Sequence, residues 1–319
     1  MTIIRLDQRC SPLAMKAIAT LPESNLHHCE YELRHPLGIY TNAIREICLA
    51  FNASLTALST LEEEYNIDRK NSTFKSILKI HKDLLYRLRE FIDDCYLVLQ
   101  GISPVNGKYY PKTIFSNQYL SKIKFPGFKS FERKIAFYKN NYVGAIVNSI
   151  KHKHRKLRGI YFYGKDNAQI FIPGYYVEGV SKKGRLAPCR SVHQDENSAF
   201  SFNRDIKLHI WYFFLIDEAL SDAINAAKTT WNIRENAQTE NIEQFDLSNL
   251  LEKISALPHQ FYDDEQLKPT VRIEQNDRGY ELEYPYKKGI RALPENMGII
   301  SMPIVDMTVP SIALPYFKR

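Results

Sequence analysis

Two runs of apolar residues at helical spacing limit this chain more than any other feature. Leu37, Tyr40, Ile44, Ile47, Phe51, Leu55 and Leu58 recur every three or four positions, and Phe74, Ile77, Leu84, Leu88, Phe91, Cys95 and Leu99 follow the same rhythm. Positions three and four apart share one face of a helix, so each run is a stripe that must be covered. His35-Pro36 opens the first helix, because proline suits a first turn whose N–H is not needed. Glu62-Glu63-Glu64 closes it as a solvated face, and the polar segment from Asn66 to Ser72 links it to the second. Gly101, with Pro104 beyond it, stops the second helix. The two are expected to pack antiparallel as the centre of a mainly α fold.

Charge is the second constraint. The formal net charge is +7. Between Cys95 and Lys165 there are fourteen Lys or Arg and one acid, Glu132, so these 71 residues carry +13 and the rest must sum to −6. A block of this kind predicts an anionic partner, nucleic acid first, or else a solvated basic face. At 319 residues the chain can bury a full core. Arg5, Asp7 and Arg9 interrupt any apolar leader, so no signal peptide is expected. The longest apolar run, Ile210 to Ile216, is too short for a bilayer, and no membrane partner is expected. Cys10, Cys29, Cys48, Cys95 and Cys189 have no C-x-x-C spacing, which points to a reducing cytoplasm.

Residues 1–34 show little periodicity. The segment 102–130 reads as a long basic loop. It interleaves Tyr109, Tyr110, Phe115, Tyr119, Phe125 and Phe128 with Lys108, Lys112, Lys122, Lys124 and Lys129. Such aromatics either stack on bases while the lysines meet phosphates, or anchor the loop to the helices. A helix is then expected from Phe131 to about Arg158. Strands follow around the turn Gly164-Lys165-Asp166-Asn167, within a β insertion over 160–180. His193 reads as a surface histidine in a polar loop. Asn203 is the expected N-cap of another helix, whose stripe runs from Ile206 to Trp231. Asp217 falls in that stripe and needs a donor or cationic partner. Residues 233–319 are expected to be an acidic linker with one short helix, then a small β-rich region broken by prolines. The bundle itself is assigned to 1–232.

Nucleotide-binding glycine loops, H-E-x-x-H and the G-x-S-x-G elbow are all absent. His152 and His154, two apart, do not face one metal from a regular helix, and His27-His28-Cys29 are likewise ill-spaced, so no metal and no cofactor are expected. What remains is metal-free phosphoryl chemistry on RNA, which needs an acid and a base and cations for the developing charge. The stretch Asn148 to Arg158 offers these groups. On a continuous helix Asn148, His152 and Arg155 share a flank, with Lys151 and Arg158 beside it, while His154 turns among the apolar residues. His152 is then acid or base, Lys151 and Arg155 clamp the phosphate, and Asn148 orients either. Lys153, Lys156, Arg158, Lys122, Lys124, Tyr109 and Tyr110 are the expected RNA contacts.

At these residues the chain resembles the HEPN superfamily, whose motif is R-x(4–6)-H, usually with Asn, Asp or His directly after the arginine. Asn148 to His152 is similar to the N-x-x-x-H part. The departure is the arginine: counting back from His152 reaches Val147, Ile146 and Ala145. The resemblance covers mainly the helices from about residue 36 to 232 and implies a HEPN-like helical bundle, to which the strand patterns above add a small β-hairpin insertion after the core helix and a β-rich C-terminal appendage. It also implies a homodimer and a metal-independent endoribonuclease in toxin–antitoxin or antiviral defence, with an antitoxin as protein partner. The missing arginine leaves open a non-catalytic RNA- or partner-binding protein of the same kind.

Overall fold

The computed structural model describes residues 1–68, 74–106, 115–164, 170–181, 184–194, 198–235, 245–266, 268–286, 298–301 and 315–316. The chain opens with β1 (Thr2–Leu6) and α1 (Leu13–Ala19), then a 3-10 turn at Glu23–Asn25. The helices α2 (Pro36–Asp68) and α3 (Phe74–Gly101) follow, then α4 (Ser116–Lys122), α5 (Phe128–Asn141) and α6 (Val143–His152). Next come β2 (Leu157–Gly164), β3 (Phe171–Val180), β4 (Leu186–Pro188), α7 (Arg190–His193), β5 (Phe200–Ser201) and α8 (Phe202–Thr230). The described chain finishes with α9 (Ser248–Ser255), α10 (Asp263–Gln266), β6 (Thr270–Asn276), β7 (Gly279–Tyr286) and β8 (Gly298–Ser301). The fold is mainly α, and among the described residues no helix is long and apolar enough to cross a membrane.

α2 and α3 form the expected antiparallel hairpin. Their stripes are buried apart from half-buried Leu37, and the end of α3 at Gly101 lies against the Pro36 ring that begins α2. β2 and β3 form the expected hairpin, pairing from Leu157↔Val177 to Tyr163↔Phe171. β3 is one continuous strand through residue 180, and of the expected turn Gly164-Lys165-Asp166-Asn167, Gly164 ends β2 while residues 165–167 lie outside the described residues.

The termini close the fold in a way no local pattern announces. β1 is a strand because β7 pairs with it antiparallel, Thr2↔Tyr284 through Leu6↔Tyr280, giving the sheet order β1-β7-β6. The boundary expected at 232/233 is crossed by this sheet and by one continuous core that holds both Ile4 and Leu282.

α8 is the hub. From Phe202 to Ile216 every residue is buried, so this helix is enclosed on all sides. Its charged residues therefore need partners, and Lys207, Arg204 and Asp217 each find theirs in a different segment. The Lys207 ammonium donates to the carbonyl oxygens of Leu257 at 2.7 Å and Ser255 at 3.4 Å, closing the C-terminal end of α9. The Arg204 guanidinium donates to the Pro269 carbonyl at 2.8 Å and lies 3.8 Å from the Glu265 carboxylate. Asp217 accepts from the backbone N–H groups of Leu13 and Ala14 and from the Tyr40 hydroxyl. Its partners are a helix N-terminus and a tyrosine, satisfying the requirement that a buried carboxylate be hydrogen-bonded.

Candidate functional site

The helix expected from Phe131 to Arg158 is two helices with a strand after them. α5 stops at Asn141, and Tyr142 takes φ −116° and ψ −98°, outside helical geometry. That turn aims the Tyr142 hydroxyl at Asp205 in the core. Gly144 packs so closely on the preceding turn that an added Cβ would lie 1.7 Å from the Lys139 carbonyl oxygen. α6 then ends at His152, because His154 is left-handed at φ 51° and the N–H groups of Lys153 and Arg155 both return to the Ser149 carbonyl, each at 3.3 Å. Gly159 therefore sits inside β2 rather than at a helix end.

This break rearranges the expected site. Asn148 and His152 remain one turn apart on the exposed face of α6, beside exposed Lys151. Lys153, Lys156 and His154 are also exposed, so His154 does not project among the apolar residues. Arg155 leaves the flank altogether. Its guanidinium donates to the sulfur of Cys189, a buried thiol just before α7. Burial pushes the Cys189 thiol up, but the Ser191 hydroxyl, the Val192 N–H and Arg155 together bring it below its ordinary value. Arg158 is half-buried and bound to Glu178 at 2.6 Å. The cations on α4, on α5 and in the turn between them divide in the same way. Lys122, Lys124, Lys129 and Arg133 are exposed. Lys134 pairs with Asp222 at 2.8 Å and Lys139 with Glu132 at 2.9 Å. Tyr119, Phe125 and Phe128 are buried, so these aromatics anchor the segment, whereas Tyr109 and Tyr110 lie outside the described residues. His193 is buried rather than on the surface. Its Nε2 accepts the Val177 N–H at 3.1 Å, and burial pushes the imidazole down to about 3.

A second constellation forms where α3, α5, α6, α8 and β3 meet. Asp205 and His209, four apart on α8, face the same way, and His81 comes from α3. His81 Nε2 lies 2.9 Å and His209 Nε2 3.1 Å from Asp205 Oδ2. The Tyr175 hydroxyl donates to the same oxygen at 2.8 Å, and the Tyr142 hydroxyl donates to Oδ1. The Tyr138 hydroxyl lies 2.7 Å from His209 Nδ1. All are buried, with His81 and His209 at 0% exposure. Burial opposes the charge on Asp205, but the two histidines outweigh it and hold the carboxyl well below the usual range. Burial pushes His81 down in spite of that carboxylate.

One signal for this cluster stands in the sequence. Arg204, Asp205 and His209 spell R-x4-H with an acid directly after the arginine, the spacing sought and not found before His152. The stronger charge pattern of 148–158 masks it, and His81 carries no local mark at all. Beside the cluster is a cavity of about 100 Å³ lined by Arg204, Tyr142, His193, Glu265 and Tyr284 among others. Burial pushes the Glu265 carboxyl up to about 7 against the pull of Arg204. So the structure offers an exposed cationic helix end and, separately, a sealed histidine–carboxylate core. No family model, no curated protein and no solved structure matches this chain.

Proposed function

We propose that this chain is a HEPN-like RNA-binding protein that meets RNA with the exposed end of α6. The observation that carries this reading is the solvent exposure of Lys151, Lys153 and Lys156 beside His152, without an ion pair among the described residues. Exposed Lys122, Lys124, Lys129 and Arg133 extend the positive charge over α4 and α5. Cations in water gain most of their binding energy by releasing counterions from a phosphate backbone, so such a surface favours polyanions over small neutral ligands. Arg204, Asp205 and His209 support the HEPN likeness by spacing. Their burial supports binding over cleavage, since a proton-transfer group must come within hydrogen-bond reach of its substrate. The test is affinity for a labelled single-stranded RNA across a salt series. Binding that stays flat from low to high salt would sink the proposal.

A second reading, an endoribonuclease of toxin or antiviral type acting as a homodimer, is favoured by one observation. His152 is exposed, with Asn148 one turn behind it and Lys151 adjacent. A histidine titrates in the range that RNA cleavage needs. Labelled RNA incubated briefly with the protein in EDTA separates the two readings. Cleavage that disappears in His152→Ala supports the enzyme, and intact RNA supports the binding protein.

A further inference from the structure

From the buried cluster we infer a structural metal site, independent of how the protein meets RNA: His81, Asp205 and His209 hold a divalent first-row transition ion such as zinc.

Three observations support it. The first is convergence. One donor atom from each of the three residues lies within 4.8 Å of the other two. Tetrahedral zinc, with bonds of about 2.0–2.2 Å, separates its donors by roughly 3.3–3.6 Å. The contacts of 2.9 Å and 3.1 Å from His81 and His209 to Asp205 need to open by a few tenths of an ångström to admit an ion, and the two imidazole nitrogens, within 4.8 Å of each other, need to take up the same separation.

The second is crowding on one oxygen. Asp205 Oδ2 faces His81 Nε2, His209 Nε2 and the Tyr175 hydroxyl together. A carboxylate oxygen has about two lone-pair directions, so three donors exceed what it can accept well. A cation between the oxygen and the two imidazoles replaces two of those contacts. The Tyr175 hydroxyl, which keeps its proton, stands 2.8 Å from the same oxygen and is the fourth ligand this arrangement offers. The imidazole protons move from Nε2 to Nδ1, and each ring binds the ion as a neutral ligand.

The third is the surrounding support. His209 meets Tyr138 through its second nitrogen at 2.7 Å, and Asp205 is bound through its second oxygen by Tyr142. Metal-binding histidines and carboxylates are characteristically oriented by such outer partners. His81 Nδ1 is buried without a partner, which leaves that ring less constrained. Two imidazoles and a carboxylate suit zinc, iron or nickel over the hard cations. Their sealing at the junction of α3, α8 and β3 makes the ion a cross-link rather than a reagent.

The test uses the full chain with any affinity tag removed. Elemental analysis is expected to find about one transition ion per chain. Stripping with a strong chelator is expected to lower the thermal midpoint by about 5 °C or more, with recovery on adding zinc. Cobalt(II) added to the stripped chain is expected to give the intense visible bands of tetrahedral coordination, shifted in Tyr175→Phe. His81→Gln and His209→Gln are expected to lose the ion, and if neither folds, the cobalt spectrum of the unmutated chain decides. A metal-free chain whose midpoint and spectrum ignore tenfold excess zinc and cobalt overturns the proposal. So does a folded His209→Gln variant that retains the ion in equal amount, because the ion is then held by exposed histidines elsewhere.

Discussion

Asp217, midway along α8, accepts the backbone N–H of Leu13 at 2.7 Å, tying the hub helix to the first residue of α1. The Ala14 N–H at 2.9 Å and the Tyr40 hydroxyl complete the set. One carboxylate thus joins α1, α2 and α8, and α1 is short enough to need it.

Replacing Asp217 with Ala leaves the Ala14 N–H and the Tyr40 hydroxyl buried and unpaired, and the Leu13 N–H partly so. Each unmet donor costs about 1–3 kcal/mol, so the variant is expected to lose about 3 kcal/mol or more in chemical denaturation. The pH dependence has a definite sign. Burial raises the Asp217 carboxyl from 3.8 to about 6, despite its hydrogen bonds. The folded chain therefore holds the proton more tightly than the unfolded one. Its contribution to stability is full below the unfolded value and is lost as pH rises through about 6. The stability of the unmutated chain relative to Asp217→Asn should fall as pH rises over that window. A constant difference would count against the assignment.

The cationic end of α6 makes a quantitative prediction. Replacing Lys151, Lys153 and Lys156 with Ala should weaken RNA binding and reduce the slope of log affinity against log salt by about 2 for single strands. Arg155→Ala should leave that slope unchanged, because the guanidinium of half-buried Arg155 is engaged by Cys189. Equal effects of the two changes would show that the exposed lysines are not the contact surface.

Gly144 permits the break between α5 and α6. Gly144→Ala places a Cβ 1.7 Å from the Lys139 carbonyl oxygen, which forces the backbone to move. Overpacking of this kind costs about 1–3 kcal/mol, and more where backbone is struck. The expected result is a lower thermal midpoint together with weaker RNA binding, since α6 carries the lysines. A variant with an unchanged midpoint would mean that the junction is not built this way.

Arg155→Ala should raise the ionisation midpoint of Cys189, followed by thiolate absorbance with Cys189→Ser as the blank. Burial raises this thiol, while Ser191, Val192 and Arg155 lower it, so removing the guanidinium withdraws one of the opposing influences. An unchanged midpoint would show that the contact carries no charge stabilisation.

Long-period patterns were legible in the sequence because they are local. The stripes of α2 and α3, the hairpin of β2 and β3, the stripe of α8 from Ile206 to Trp231 and one short helix in the acidic segment follow from spacing and β-branching over a dozen residues, although α8 is capped at Ser201 rather than at Asn203. The basic block was legible for the same reason. Even R-x4-H at 204–209 is written in the chain, although a stronger pattern elsewhere hid it.

Tertiary structure decided the rest, because those features depend on partners far away in sequence. β1 is a strand only beside β7, and its own residues show no alternation strong enough to announce it. The helical rhythm through residue 142 is broken because the Tyr142 hydroxyl reaches Asp205, 63 positions on. Arg155 turns inward because Cys189 waits there, and Arg158 because Glu178 lies diagonally across on β3. His81 meets Asp205 only once α3 packs on α8, 124 positions apart. Periodicity shows which face of a helix is buried, whereas the packing of the other helices decides which polar groups share that interior.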